Sequence, residues 1–152
     1  MANVLIVEDD AVFITVWSHI LKKHGHRVVR IARTPEEQLE AIWNIDGTPW
    51  DIVVHGGSLG TGLAPDEAEF PMNDFAKELE CQALNVDVGF VAASGNHIDQ
   101  NQIHFDAETG KVANGNVEDD FIAAVDTALR ARDGRAAKLG IESITHSKEG
   151  WG

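Results

Sequence analysis

The sequence predicts an α/β fold in which a doubly wound parallel sheet of five strands lies between two layers of helices. Strand and helix patterns alternate along almost the whole chain of 152 residues. The strand patterns are short, uninterrupted apolar runs, which is typical of strands buried on both faces. The segments between them carry apolar residues at helical spacing, as expected of right-handed crossovers that cover both faces of a parallel sheet.

The first half of the chain gives the clearest elements. Residues 3–8 predict the first strand, and residues 10–24 predict a helix that ends at Gly25. Residues 26–31, rich in β-branched side chains, predict the second strand. A second helix is expected to begin at Thr34, because Thr34-Pro35-Glu36-Glu37 combines an N-cap, a proline at the first helical position and a glutamate three residues after the cap.

The second half is predicted to supply three more strands and two more helices. Residues 51–55 indicate the third strand, 73–84 a helix, and 86–92 the fourth strand. Residues 103–112 would suit a hairpin around a glycine-containing turn, within a polar region, 95–116, that lacks the amphipathic helix expected before the fifth strand. Residues 117–132 predict the last helix, which has acids at its start and arginines at its end.

Composition limits the possible functions. The net charge of −13 disfavours binding to nucleic acid or to an anionic membrane. The single cysteine, Cys81, permits no intramolecular disulfide and suits a reducing compartment. No apolar run approaches the roughly 20 residues of a membrane span, and no signal peptide is visible. We therefore expect a cytoplasmic protein, with one domain over 1–133, a polar tail over 134–152 and no attached DNA-binding module.

Three acids follow the first strand directly. Val4-Leu5-Ile6-Val7 runs into Glu8, Asp9 and Asp10, at the edge where open α/β sheets build their sites. Crowded carboxylates repel each other unless a cation offsets them, so the pattern suggests a divalent-metal pocket formed with the end of a neighbouring strand. The alternative is a solvated turn in which Asp9 or Asp10 caps the first helix.

The order of elements and two motifs resemble the receiver domain of bacterial response regulators, a CheY-like, flavodoxin-like fold, over about residues 2–132. The motifs are Asn3-Val4-Leu5-Ile6-Val7-Glu8-Asp9-Asp10-Ala11 and Trp50-Asp51-Ile52-Val53-Val54. The resemblance implies that Glu8 and Asp9 take the positions of the acidic pair that holds magnesium in the family. It also implies contacts with protein partners through the last helix and the edge around the fifth strand, which often carry such contacts in the family.

The resemblance fails at the other positions that the family's phosphorelay chemistry needs. The phosphate-accepting aspartate of the third strand falls on Gly56, and the hydroxyl residue of the fourth strand falls on Ala92, with Ser94 two residues further. The lysine expected after the fifth strand falls near residues 113–115, and the nearest lysine is Lys111. Acyl-phosphate chemistry needs a carboxylate nucleophile, a metal and a cation, so the sequence resembles a degenerate receiver, or pseudo-receiver.

The main hypothesis is therefore a non-enzymatic signalling domain that acts by phosphorylation-independent contact with a protein, namely a histidine kinase, another regulator or itself. No cofactor is required in this interpretation, and magnesium is not expected. One alternative is a metal or small-ligand sensor that uses Glu8, Asp9, Asp10, His55 and His97. The other is a working phosphorelay receiver with an atypical acceptor.

Several remaining features have a structural interpretation beside a functional one. Alternation predicts that His55 points away from the face used by residue 56, which favours a hydrogen-bonded strand-end histidine over a ligand. The glycine-rich segment 56–62 is expected to be a lengthened loop rather than a phosphate cradle, because it lacks a Walker lysine. Ser94 and His97 do not by themselves form a hydrolase site.

The tryptophans divide into two predicted groups. Trp17 and Trp43 lie on apolar helix faces and are expected in the core, whereas Trp50 and Trp151 are candidates for exposed partner anchors.

Overall fold

The computed structural model describes residues 1–57, 70–85, 87–94, 103–110 and 118–151, with side chains in the last helix described as far as Lys138. The strands are β1 (Asn3–Val7), β2 (Arg27–Ala32), β3 (Ile52–His55), β4 (Gly89–Ser94) and β5 (Ala107–Gly110). The helices are α1 (Ala11–Lys23), α2 (Pro35–Trp43), α3 (Phe70–Cys81) and α4 (Glu118–Trp151). All strand pairs are parallel, in the order β2-β1-β3-β4-β5. The predicted α/β fold is confirmed.

Strand alternation divides the core into two layers. Leu5, Val7 and Val53 pack with α2 and α3 on one face of the sheet. Val4 and Ile6 pack with α1 and α4 on the other. Each of these side chains is fully buried because β1 and β3 lie in the centre of the sheet, where helices cover both faces.

Local sequence signals set the ends of the first two helices. The Asp10 side chain accepts a hydrogen bond from the Val12 amide at 2.8 Å and caps α1. The hydroxyl of Thr34 accepts one from the Glu37 amide at 3.1 Å and caps α2. Gly25 follows α1 with a φ of 84°, a conformation that glycine adopts without strain. These caps confirm the predicted helix starts.

The segment between β4 and β5 differs from the predicted hairpin. Within residues 103–110 the structure has one strand, β5, which pairs parallel to β4. Ile103 and Phe105 are 2% and 4% exposed and pack into the core layer of α2 and α3. Asp106 fixes this path, because its amide donates to the Phe90 carbonyl at 2.8 Å and its carboxylate accepts from the Phe90 amide at 2.9 Å. Apolar burial and this pairing replace the expected turn.

The last helix is longer than predicted. It continues through Gly134 to Trp151, so the predicted end near residue 132 is wrong, and the helix crosses the domain boundary predicted at residue 133. Arg135 explains the first part of the extension. It binds the Asp106 carboxylate and the Val88 carbonyl, which directly precede β5 and β4. Although α4 is long, neither it nor another helix in the described part of the chain is apolar enough to cross a membrane.

Two tryptophan predictions are reversed in the structure. Trp43 is 58% exposed, because the buried positions of α2 are Gln38, Ala41 and Ile42. Trp50 is buried against Phe75, and its indole N–H donates to the Ala41 carbonyl at 3.1 Å. The prediction that Trp17 belongs to the core is confirmed, and Trp151 lies outside the described side chains.

His26 is expected to make the free energy of unfolding depend on pH. Its Nδ1 accepts a hydrogen bond from the Ala2 amide at 3.2 Å, and burial, followed by the nearby amino terminus, lowers its pKa in the folded protein. Stability from the neutral ring is therefore present above about pH 6.5, the ordinary value, and is lost as the pH falls through the lower folded pKa. We expect H26N, which keeps an acceptor but does not titrate, to flatten the pH profile of stability, measured by denaturant unfolding.

The matched control for this measurement is H19N, since His19 is exposed on α1. If the dependence of the unfolding free energy on pH became weaker by the same amount in H19N and H26N, the role given to His26 would be contradicted.

Candidate functional site: a filled acceptor position

The candidate site lies at the carboxyl ends of the three central strands. Val7, His55 and Ala92 stand side by side in the parallel register, so the residues that follow them meet at one edge of the sheet. This edge is where open α/β sheets place their ligand sites. It contains the positions that the resemblance assigns to phosphorelay chemistry.

Glu8 is the central residue of this edge. Although charged by type, it is fully buried. Its Oε1 accepts hydrogen bonds from the amides of Asp9 and Asp10, each at 3.1 Å. Its own amide donates to the Ala32 carbonyl of β2 at 3.0 Å. The side chain therefore turns inward and supports the start of α1, as a buried carboxyl group must be hydrogen-bonded to be tolerated.

The Glu8 carboxyl group occupies the space that a side chain at residue 56 would need. A Cβ built on Gly56 would overlap Oε2 of Glu8 and lie 2.8 Å from its Cδ. It would also lie 3.2 Å from the carbonyl oxygen of Val7. This oxygen already accepts a hydrogen bond from the Gly56 amide at 2.7 Å. At the position that the sequence resemblance assigns to an acceptor side chain of β3, the structure therefore has a carboxyl group from the end of β1.

The other two acids of the motif have separate roles. Asp10 caps α1, so the capping interpretation is confirmed for this residue. Asp9 is half-buried, and its backbone carbonyl accepts a hydrogen bond from Arg33 Nη2 at 3.1 Å. The three acids thus diverge: one points inward, one binds a helix amide, and one is tied by its backbone to the β2–α2 connection.

His55 lies on the opposite face of the sheet, as alternation predicted. Its ring is fully buried and makes an edge contact with Phe75, the centroids being 5.2 Å apart. Nδ1 accepts from the Gly57 amide at 3.0 Å, so Nε2 carries the proton and donates to Gln38 Oε1 at 3.0 Å. Both ring nitrogens are engaged in the fold.

The remaining predicted positions are partly described. Ala92 is fully buried in the layer of α2 and α3. Ser94 is half-buried, and its Oγ lies 3.5 Å from the place where a Cβ on Gly57 would stand. Gly57 has a φ of 91°, which its lack of a side chain permits. His97, Lys111 and the glycine-rich segment beyond Gly57 lie outside the described residues.

The described side chains do not fit the magnesium site that the fold would suggest. Hydrogen bonds from two amides engage the carboxyl group of Glu8, and that of Asp10 is used as a helix cap. Gly56 supplies no oxygen from a side chain. Among the residues that the structure describes, no group of three histidine, cysteine or acidic side chains is arranged to hold a metal ion. We derive no metal-dependent step for this site.

Comparisons with known proteins agree with this architecture. No family model matches the sequence, and no curated protein matches it. Several solved structures, in contrast, are similar to this chain in fold. The N-terminal domain of a response regulator/sensory box/GGDEF protein from Carboxydothermus hydrogenoformans is similar over 88% of this chain and 98% of that one, with a TM-score of 0.67 and 22% identity.

Two further solved structures extend the comparison. A signal receiver domain of a LuxO repressor protein from Vibrio parahaemolyticus is similar over 90% of this chain and 95% of that one, with a TM-score of 0.65 and 14% identity. The response regulator PhyR from Brucella abortus is similar over 94% of this chain, which spans about half of PhyR (53%), with a TM-score of 0.65 and 18% identity. The chain therefore has the fold of a response-regulator receiver domain.

Sequence reasoning found the edge but missed its central contact. It identified Glu8 as an acid of the motif and Gly56 as the altered position, and it did not connect the two. Gln38, the buried partner of His55, was also missed, because a glutamine on a helix is ordinarily exposed. The available signal was the coincidence of a glutamate after β1 with a glycine after β3, two strands that neighbour each other in this fold.

Proposed function

We propose that this protein is a receiver-like signalling domain that works without phosphorylation, through contact with a protein partner. The observation that carries this proposal is the position of Glu8, whose carboxyl group fills the space above Gly56. The receiver fold of the solved neighbours supports a signalling role. The partner classes remain those expected from the sequence: a histidine kinase, another regulator or a second copy.

Two physical arguments support the loss of phosphoryl transfer. Gly56 has no nucleophile, and in-line attack on a phosphoryl donor needs an accessible oxygen. The carboxyl group nearest to that place, that of Glu8, is fully buried, and bonds from two amides hold it. A phosphoryl donor would have to displace the side chain and break both bonds before reaching an oxygen. The same arrangement supports a function that needs neither an enzyme activity nor magnesium.

The proposal is tested by incubating the purified protein with acetyl phosphate and magnesium, followed by intact-mass measurement. We expect no gain of a phosphoryl group, since Gly56 has no side chain and the carboxyl group of Glu8 above it is fully buried. The variants E8Q and D9N are treated in parallel, and an active receiver domain is the positive control for the reagent.

A labile gain of one phosphoryl group in the wild type would overturn the proposal. If that phosphoryl group were gained by the wild type and by D9N but not by E8Q, Glu8 would be an atypical acceptor and the protein would be a working receiver. A thermal shift with magnesium, manganese or zinc that disappears in D9N would favour the sensor function instead. We expect no shift with any of the three ions.

A further inference from the structure

The exposed indole of Trp43 is held in one orientation. Trp43 is the last residue of α2 and is 58% exposed. Its Nε1 donates to Glu78 Oε1 on α3 at 2.7 Å, and the same oxygen accepts from Gln82 Nε2 at 3.0 Å. These two bonds, the one from Trp43 first, also lower the pKa of Glu78. The ring is therefore fixed before any partner arrives, which reduces the entropy lost on binding.

A single exposed apolar side chain is common on proteins and needs no explanation. The acidic character of the two helices joined by this contact is the second observation. The sequences of α2 and α3 contain six acids and one cation, Lys77. The acids are Glu36, Glu37, Glu40, Asp74, Glu78 and Glu80. Arg30 of β2 approaches one of them, Glu40, at 3.9 Å. Glu36 and Glu40 precede Trp43 by seven and three positions and share its face of α2, and Glu78 contacts its ring. We call the surface formed by Trp43, Glu36, Glu40 and Glu78 the α2–α3 ridge.

An ordered tryptophan beside carboxylates has the chemistry to bind a cation. The face of an indole attracts a guanidinium or ammonium group, and Glu78 lies within hydrogen-bond distance of the same ring. Arginine suits both parts, because its planar group stacks on aromatic rings and pairs with carboxylates in a bidentate manner. Tryptophan and arginine are also the residues most enriched at the centres of protein interfaces.

We propose that the α2–α3 ridge binds a basic, arginine-bearing segment of a protein partner, with a guanidinium group stacked on Trp43 and paired with Glu78. This surface is separate from the filled acceptor position, since it lies on the outer side of the two helices that cover one face of the sheet. Binding of a partner segment to the α2–α3 ridge does not depend on whether phosphoryl transfer has been lost.

The test uses a short oligo-arginine peptide as the probe, with binding measured by calorimetry at physiological ionic strength. We expect W43A to weaken the peptide's affinity by about fivefold to tenfold, the value of a partly desolvated cation–π contact. E78Q keeps an acceptor for the indole and removes the charge, so it should weaken binding severalfold while the ring stays in place. Circular dichroism checks that each variant is folded.

The matched control is D119N, which removes one exposed negative charge from the first turn of α4. A protein of net charge −13 attracts any polycation, and that general attraction would fall equally in E78Q and D119N. Equal losses in these two variants, or an unchanged affinity in W43A, would overturn the proposal. Because no phosphoryl donor is present, neither result bears on the proposed loss of phosphorylation.

Discussion

Replacing Arg135 with alanine is expected to lower the free energy of unfolding by about 3 kcal/mol, because the buried carboxylate of Asp106 loses its arginine partner and keeps only the bond from the Phe90 amide among its bonds described above. The Arg135 guanidinium contacts both oxygens of Asp106, at 2.7 and 3.0 Å, and also donates to the Val88 carbonyl at 2.8 Å. The Asp106 side chain is 5% exposed. Urea unfolding followed by circular dichroism measures the loss.

The control for this change is R130A. Arg130 lies on the same helix, is exposed, and contacts Thr127 only at the limit of a hydrogen bond, 3.5 Å. Its removal should alter stability by less than about 0.5 kcal/mol. Hydrogen exchange should also become faster in the backbone of residues 134–138 in R135A, since this contact holds that part of α4 against the sheet. A loss no greater than that of R130A would contradict the assigned role.

A methyl group at residue 56 is expected to destabilise the protein by about 2 kcal/mol, as overpacking of a filled site does. In G56A the new Cβ would overlap Glu8, whose displacement would break its bonds to the amides of Asp9 and Asp10. In an E8A background the space is already vacant, so the same methyl group should cost little. Chemical unfolding of the wild type, G56A, E8A and the double variant gives the coupling free energy between the two positions, which is expected to be about 1–2 kcal/mol.

The variant E8Q is the informative control for this cycle. Glutamine has nearly the volume of glutamate, so G56A should be as costly with E8Q as with the wild-type residue. If G56A were instead equally destabilising in the E8A background, the cost would come from the backbone, and the steric role given to Glu8 would be wrong.

Much of the fold was predictable because its signals are local. Asp10, Thr34 and Gly25 mark helix ends through hydrogen bonds and backbone conformations that neighbouring residues determine. The apolar strands predict a parallel sheet for the same reason. The extension of α4 beyond residue 132 was not predictable, because Arg135 is anchored to Asp106, a residue 29 positions away in the chain.

The candidate site was likewise predictable only where its signals are local in the sequence. The direction of His55 followed from alternation within one strand. The filling of the space at Gly56 depends on the contact between the ends of two strands that lie 48 residues apart, since Val7 pairs with His55. The tryptophans illustrate the same limit: Trp43 and Trp50 were assigned from their own segments, and packing between α2 and α3 reversed both assignments.

The outer strands of the sheet also restrict how two copies of this protein can associate. β2 carries Arg27 and Arg30 among its six residues, and β5, on the other side of the sheet, includes exposed Glu108. Charged side chains on the outer strands oppose the addition of a strand from another molecule, which is the usual first step of sheet extension and fibril growth. Pairing of two copies strand to strand through these edges is therefore disfavoured.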